Sequence, residues 1–311
     1  MNAIKSHPLS ADAHGHDHHH GPAQYDRAFA WGTALNLGFV LIEAGFGLLA
    51  NSVSLLADAG HNLGDVLGLC LAWAAAWLTR RRPTGRHTYG FGSSSILAAL
   101  INAVVLLMVV GAIGVEAIGR LAAPEPVASG IVIWVASAGI VVNGFSALMF
   151  MRGRKHDVNL RAAYLHLASD AAVSAGVVIT GLAIRATGWS WLDPLTSLLI
   201  AVVIVLATLG ILRQSLGLAM NAVPEGIDRV AVEAYLAKLP GVIAVHDLHI
   251  WALSTTDSAL TAHLVRPGEG PDDEFLRGVA AELRARFRIG HSTIQVEHDG
   301  ADCRLAPAEV I

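Results

Sequence analysis

Long apolar runs fill the first two thirds of the chain, and their lengths suit one environment. Six stretches, 29–50, 55–78, 94–118, 130–150, 160–184 and 192–212, are predominantly apolar. The hydrocarbon core of a bilayer is ~30 Å thick and takes roughly 20 apolar residues as a helix. Each run is therefore predicted to cross a membrane once. The first two are joined by little more than Asn51-Ser52-Val53-Ser54, which predicts a tight helical hairpin. Asp193-Pro194 at the head of the sixth reads as a helix start, an acidic cap followed by proline in the first turn. Asp193 is accordingly assigned a structural role.

From Pro224 onward the pattern becomes that of a soluble domain. Residues 227–239 and 272–287 are amphipathic at helical period, while 246–253, 260–265 and 293–298 alternate like strands. The order α-β-β-α-β predicts a small, open, two-layer domain of ~75 residues. Residues 1–24 are polar and rich in His and Gly, the composition of a disordered tail. The expected division is thus a tail over 1–24, a six-span membrane domain over 25–221 and a cytoplasmic domain over 222–311.

Composition supports lipid as the solvent. The chain is 54% hydrophobic and 15% charged, with a mean hydropathy of +0.53, where soluble domains carry nearer ~25% charged residues. Basic residues then orient the spans. Arg80, Arg81, Arg82 and Arg86 follow the second run, and Arg152, Arg154 and Lys155 follow the fourth. The opposite loops hold almost none beyond Arg120 and Arg185. By the positive-inside rule both termini belong in the cytoplasm, and the expected location is a plasma membrane. The net charge of -4 comes with no dominant basic stripe and argues against nucleic-acid binding. Cys70 lies in an apolar run and Cys303 in the polar tail, so no disulfide framework is expected. No signal-peptide pattern precedes the first apolar run.

Against this background the ionisable residues inside the runs stand out, because charges at membrane depth cost several kcal/mol. The second run holds His61 and Asp65, and the fifth holds His166 and Asp170. Residues four apart share a helix face, so each helix offers one imidazole nitrogen and one carboxylate oxygen in one direction. Where those faces meet, two nitrogens and two negatively charged oxygens converge. That donor set suits tetrahedral Zn2+. Lack of a thiol argues against Cu(I), and imidazole disfavours Mg2+ and Ca2+, which prefer oxygen shells. Asp58, about one turn before His61, is a further candidate, and Glu43 is the ionisable residue most open to proton involvement. Asn36, Asn102, Glu116 and Asn143 are expected to hydrogen-bond between helices.

The segment 51–65, Asn-Ser-Val-Ser-Leu-Leu-Ala-Asp-Ala-Gly-His-Asn-Leu-Gly-Asp, resembles the signature of the cation diffusion facilitator family, particularly its bacterial zinc-exporting branch. Tyr89-Gly90-Phe91 leading to 96–100, the turn from His166 to Asp170, and 245–251 match as well. The resemblance spans roughly 27–300. It implies a six-span α-helical transporter with a ferredoxin-like cytoplasmic domain, a homodimer exchanging Zn2+ for protons. The family's transport ligands carry over to His61, Asp65, His166 and Asp170. A His at the first of these positions goes with zinc preference, whereas members with Asp there are broader. The resemblance also favours His246, His263 and His298 as ligands of a regulatory zinc near the dimer interface, with His249 and His291 as packing or surface residues. By strand alternation alone, His246 and His249 fall on opposite faces if both lie within the strand. One departure is Gly92-Ser93-Ser94-Ser95, where many relatives place a charged Arg and Glu. A second is the position of the His-rich tract, at His14, His16, His18, His19 and His20 rather than in the loop after the fourth span. Such a tract can collect Zn2+ loosely.

The reading is a secondary active transporter rather than an enzyme, working with a lipid bilayer, protons and zinc. The sequence holds no Walker motif and no His-Glu-x-x-His turn, and a hydrolytic zinc site keeps an open water position. Export of Cd2+, Co2+ or Mn2+, or a membrane metal sensor, are the alternatives.

Overall fold

The structure is a computed structural model that describes residues 24–151, 158–268, 273–298 and 303. The His-rich tract therefore lies outside the described residues, as do Arg152, Arg154 and Lys155. Six helices form the first part: α1 (Gln24–Leu49), α2 (Val53–Thr79), α3 (Ser94–Ala122), α4 (Ser129–Phe150), α5 (Val158–Thr187) and α6 (Leu192–Ala219). Among the described residues, α2 to α6 each contain a stretch long and apolar enough to cross a membrane, and α1 is apolar over Asn36–Leu49. Large side chains such as Leu41, Trp134 and Leu206 point outward, as expected where lipid covers the surface.

Polar locks at one end of the bundle fix how the helices start. Asn51 turns the chain between α1 and α2 with φ of 54°, a left-handed conformation that Asn tolerates. Ser52 then caps α2, accepting from the Leu55 N–H at 3.2 Å. Asp193 was expected to cap its own helix, but α6 begins one residue earlier, at Leu192. Its fully buried carboxylate crosses to α2 instead, accepting from Ser52 Oγ at 2.6 Å, Ser54 Oγ at 2.5 Å and the Val53 N–H at 2.6 Å. An anion there satisfies free N–H groups and meets the positive end of the helix dipole. Arg120 of α3 donates to the Asn51 carbonyl at 2.8 Å, which explains a cation at that helix end.

Below these locks the helices approach closely where side chains are small. A Cβ on Gly64 would stand 2.6 Å from Leu106 of α3, and one on Gly68 2.9 Å from Asn102. Small residues one turn apart let membrane helices pack backbone to backbone. The bundle core is Leu55, Ala57, Leu106, Val110, Val132, Ala136, Val177 and Ile204.

The C-terminal domain runs α7 (Arg229–Leu236), β1 (Ala244–Ala252), β2 (Ser258–Val265), α8 (Asp273–Phe287) and β3 (His291–Glu297), the expected α-β-β-α-β order. β1 pairs antiparallel with β2, and β2 parallel with β3, so α8 is the crossover a parallel pair requires. Leu248, Ile250, Leu260, Ala262 and Leu264 face Val232, Leu236, Val279 and Leu283 of the two helices. The alternate residues, among them His263, face the other way.

Candidate metal centres

In the bundle, His61 and Asp65 of α2 meet His166 and Asp170 of α5. His61 Nε2 lies 3.7 Å from Asp65 Oδ2 and 3.3 Å from Asp170 Oδ1. His166 Nε2 lies 3.5 Å from Asp65 Oδ2 and 3.6 Å from Asp170 Oδ2. A tetrahedral shell with bonds of ~2.0–2.1 Å has ligand-to-ligand edges of about 3.3–3.4 Å. The four separations are close to those of a set of ligands around one small divalent ion. Donor atoms of His61, Asp65 and Asp170 all lie within 4.8 Å of one another, with His166 half-exposed at the fourth side. Asp65 Oδ2 and Asp170 Oδ1 are buried without a hydrogen-bond donor. Two bare carboxylate oxygens aimed at a common point in an apolar bundle are costly unless a cation joins them.

Asp58 is not part of that group. Its carboxylate accepts from Ser174 Oγ of α5 at 2.8 Å and lies beside Glu43 of α1, which accepts from Asn62 at 3.2 Å. Glu43 and Asp58 are fully buried, so this is a polar tie between three helices beside the four candidate donors.

A second cluster lies on the open face of the C-terminal sheet. Its register slips between His246 and His249, so that His246 pairs with His263, and His249 with Thr261. Asp247 is the bulged residue, with φ of 50°. A bulge adds one residue and resets the alternation. His246 and His249 thus share the His263 face, although both lie within β1, and the opposite-face expectation does not hold. His246 Nε2 is 3.2 Å from Glu297 Oε2, and His263 Nδ1 is 3.0 Å from Glu297 Oε1. Cys303 Sγ approaches His263 Nδ1 at 3.5 Å. Donor atoms of His246, His263, Glu297 and Cys303 lie within 4.8 Å of one another.

Of the expected trio, His246 and His263 come together and His298 does not. His298 follows the last residue of β3 and is exposed, because alternation gives the shared face to Glu297. Glu297 and Cys303 are the donors that sequence reasoning missed. The signal for Glu297 was its even spacing along β3, whereas Cys303 follows a stretch with no periodicity to place it. Asp247 backs the cluster, its carboxylate 3.3 Å from His263 Nε2 and 2.8 Å from His249 Nε2. A carboxylate on the far nitrogen orients a metal-binding imidazole. Burial alone would raise the Glu297 carboxyl, but hydrogen bonds from Cys303 and Gln295, with His246 and His263 nearby, hold it below the usual range.

Comparison with known proteins follows the same division. The family model described as cation efflux transmembrane domain matches residues 30–218, and that described as cation efflux protein, cytoplasmic domain, matches 224–299. The metal cation efflux system protein CzcD of Cupriavidus metallidurans is 35% identical over 296 residues, 95% of this chain and 91% of the relative. The cadmium, cobalt and zinc/H(+)-K(+) antiporter of Bacillus subtilis is 33% identical over 92% of this chain and 94% of its own length. The zinc transporter ZitB of Escherichia coli is 33% identical over 95% and 96%. With family models matched over residues 30–218 and 224–299 and relatives of this identity over nearly its whole length, the chain belongs to the cation efflux family.

Proposed function

We propose that this protein exports Zn2+ from the cytoplasm in exchange for protons, by alternating access around His61, Asp65, His166 and Asp170. The observation that carries this is the spacing of the four donor groups, 3.3–3.7 Å, with one His and one Asp coming from each of two facing helices. Two carboxylates cancel the ion's charge, and two imidazoles favour zinc over harder cations. Facing the cytoplasm, the deprotonated set captures the ion. Facing outward, protons compete for the same atoms and release it, because metal ligands must be deprotonated to bind. The names of relatives that act on cadmium, cobalt and zinc support the same substrate class.

Both termini are assigned to the cytoplasm, in a bacterial inner membrane. The match to a cytoplasmic-domain model supports this side for the C-terminal sheet, which is assigned to homodimerisation. The cluster of His246, His263, Glu297 and Cys303 is assigned to a regulatory zinc, bound and released without transport. Its mixed imidazole, carboxylate and thiol donors fit Zn2+, and His246 Nε2 and Glu297 Oε2 are buried without another partner.

The test is Zn2+ uptake into sealed liposomes under an imposed pH gradient, with a trapped dye reporting proton release. Uptake that collapses with the gradient, matched by proton counterflow, is the expected result. A metal sensor moves no zinc. Uptake of Cd2+ or Co2+ in preference to Zn2+ would make one of those ions the main cargo.

A further inference from the structure

The two domains leave a cavity of about 750 Å3 where they meet. Its roof is the β1–β2 turn, 253–257, which sits on the start of α3. The Thr255 N–H donates to Ser95 Oγ at 3.0 Å, and Ser93 Oγ reaches the Leu253 carbonyl at 3.5 Å. A Cβ on Gly92 would lie 2.6 Å from the same carbonyl oxygen, a backbone atom that cannot swing aside. The Gly92-Ser93-Ser94-Ser95 segment, which departs from the charged pattern of many relatives, is thus a seat for the turn.

Below this roof the walls are small side chains. Gly68, Ala72, Ala76 and Thr79 line the cavity along one face of α2, together with Ala98 and Asn102 of α3. Gly68 to Thr79 covers about three turns, roughly 16 Å at ~1.5 Å per residue. That is the depth of one leaflet, about half of the ~30 Å hydrocarbon core. Trp77 is exposed on the same helix, with the Arg81 guanidinium 4.0 Å above its ring. Tryptophan and arginine together mark the headgroup level at this end of α2. The trench therefore runs from headgroup level into the acyl chains of one leaflet, while its roof belongs to the sheet domain.

The rim carries one charge of each sign, from Asp257 and Arg284. Arg284 Nη2 donates to the Gly290 carbonyl at 3.0 Å, and the Gly290 N–H to the Ser258 carbonyl at 3.1 Å, so the two charges come from neighbouring positions. Neither has an ion-pair partner among the described residues. Ser254 Oγ and Thr256 Oγ1 both donate to Asp257 Oδ2, at 2.9 and 3.2 Å, which leaves Oδ1 without a donor among those residues. A cation, a bare carboxylate oxygen and an apolar trench one leaflet deep are complementary to one class of ligand. A phosphodiester meets Arg284, a primary ammonium with its N–H donors meets Asp257, and an acyl chain fills the trench. We propose that the cavity binds one zwitterionic aminophospholipid per chain, with the headgroup chemistry of phosphatidylethanolamine. A quaternary choline has no N–H to give Asp257. A phosphatidylglycerol brings net negative charge to the carboxylate with no cation to pair it. The lipid touches both domains, and the site does not depend on which metal the bundle carries.

The test is native mass spectrometry of the full chain in detergent, after incubation with equal amounts of phosphatidylethanolamine, phosphatidylcholine and phosphatidylglycerol of matched acyl chains. The wild type should retain one phosphatidylethanolamine per chain, about 10-fold in preference to the other two, the worth of one charge-assisted hydrogen bond. Asp257→Asn keeps an acceptor for the turn and should erase that preference, so that ethanolamine and choline lipids bind alike. Arg284→Gln should weaken all three. Ala76→Phe fills the trench and should abolish retention, whereas Ala74→Phe, on the same helix but outside the cavity lining, should not. Equal retention of the three headgroups by the wild type, or none, would overturn the proposal, and so would a preference for phosphatidylglycerol. Asp257→Asn with an undiminished ethanolamine preference would do the same, whether or not Ala76→Phe folds. Lipid on the monomer that is missing from the dimer would give the trench to a second copy of the chain instead.

Discussion

In the membrane bundle, one turn of α2 and one turn of α5 each deliver a His and an Asp to the same side. In the C-terminal sheet, His246 and His263 meet across two strands, Glu297 arrives from a third and Cys303 from beyond it. The first centre uses two local pairs and one helix packing. The second uses four separate positions, a bulge and a residue beyond the last strand. If the proposed assignment holds, the bundle centre should tolerate sequence change around it while His61, Asp65, His166 and Asp170 do not. The sheet centre should depend on features that are not ligands at all, Asp247 above all.

The largest expected effect tests the bundle side of that contrast. His61→Ala or His166→Ala should cut zinc uptake by more than about 100-fold, since even residues behind metal ligands cost 10–100-fold. Uptake that survives at wild-type rate would mean the helix pairs do not act as a unit. Next, Glu297→Ala should abolish high-affinity zinc binding by the C-terminal domain, whereas His298→Ala should leave it intact. Equilibrium dialysis on the full chain in detergent, with His61→Ala to silence the bundle, reads this directly. Loss with His298→Ala would restore that residue to the site.

Asp247→Asn sharpens the comparison at a non-ligand. It keeps the left-handed bulge position available but weakens the hold on His263, and should cost roughly 10-fold or more in zinc affinity of the cluster. Asp247→Ala should cost more, because the bulge itself loses a residue that tolerates its backbone. Replacing His61 by Asp should be the mildest change in rate and the clearest in selectivity. An oxygen-richer shell moves preference toward Co2+ or Mn2+ relative to Zn2+, read by competition uptake.

The difference between the centres also explains what could be read in the sequence. Helix period is regular, so four-residue spacing fixed the relation of His61 to Asp65 and of His166 to Asp170. The apolar surroundings made each charge conspicuous. The spans, the strand order and the tight turn at Asn51 were legible for the same reason, as breaks in a simple pattern. Asp193 was recognised as structural, but its partner was not, because contacts with Ser52 and Ser54 depend on a fold spanning 140 residues. His246 was misplaced on its strand because a bulge leaves no period to follow. His298 lost its place to Glu297 by one residue at a strand end. The Gly-Ser-Ser-Ser segment read as a missing charge pair, and only the close approach of the Leu253 carbonyl gave it a positive role.

The most direct test of the account is gradient-driven Zn2+ uptake by liposomes bearing the isosteric variants Asp65→Asn and Asp170→Asn beside the wild type. Each variant keeps the shape of the side chain and removes one negative charge from the four-ligand set. The account predicts steep, gradient-dependent uptake in the wild type and loss in both variants, with unfolding temperatures at least as high as the wild type's. Wild-type uptake in either variant would contradict the claim that these two carboxylates hold the transported ion.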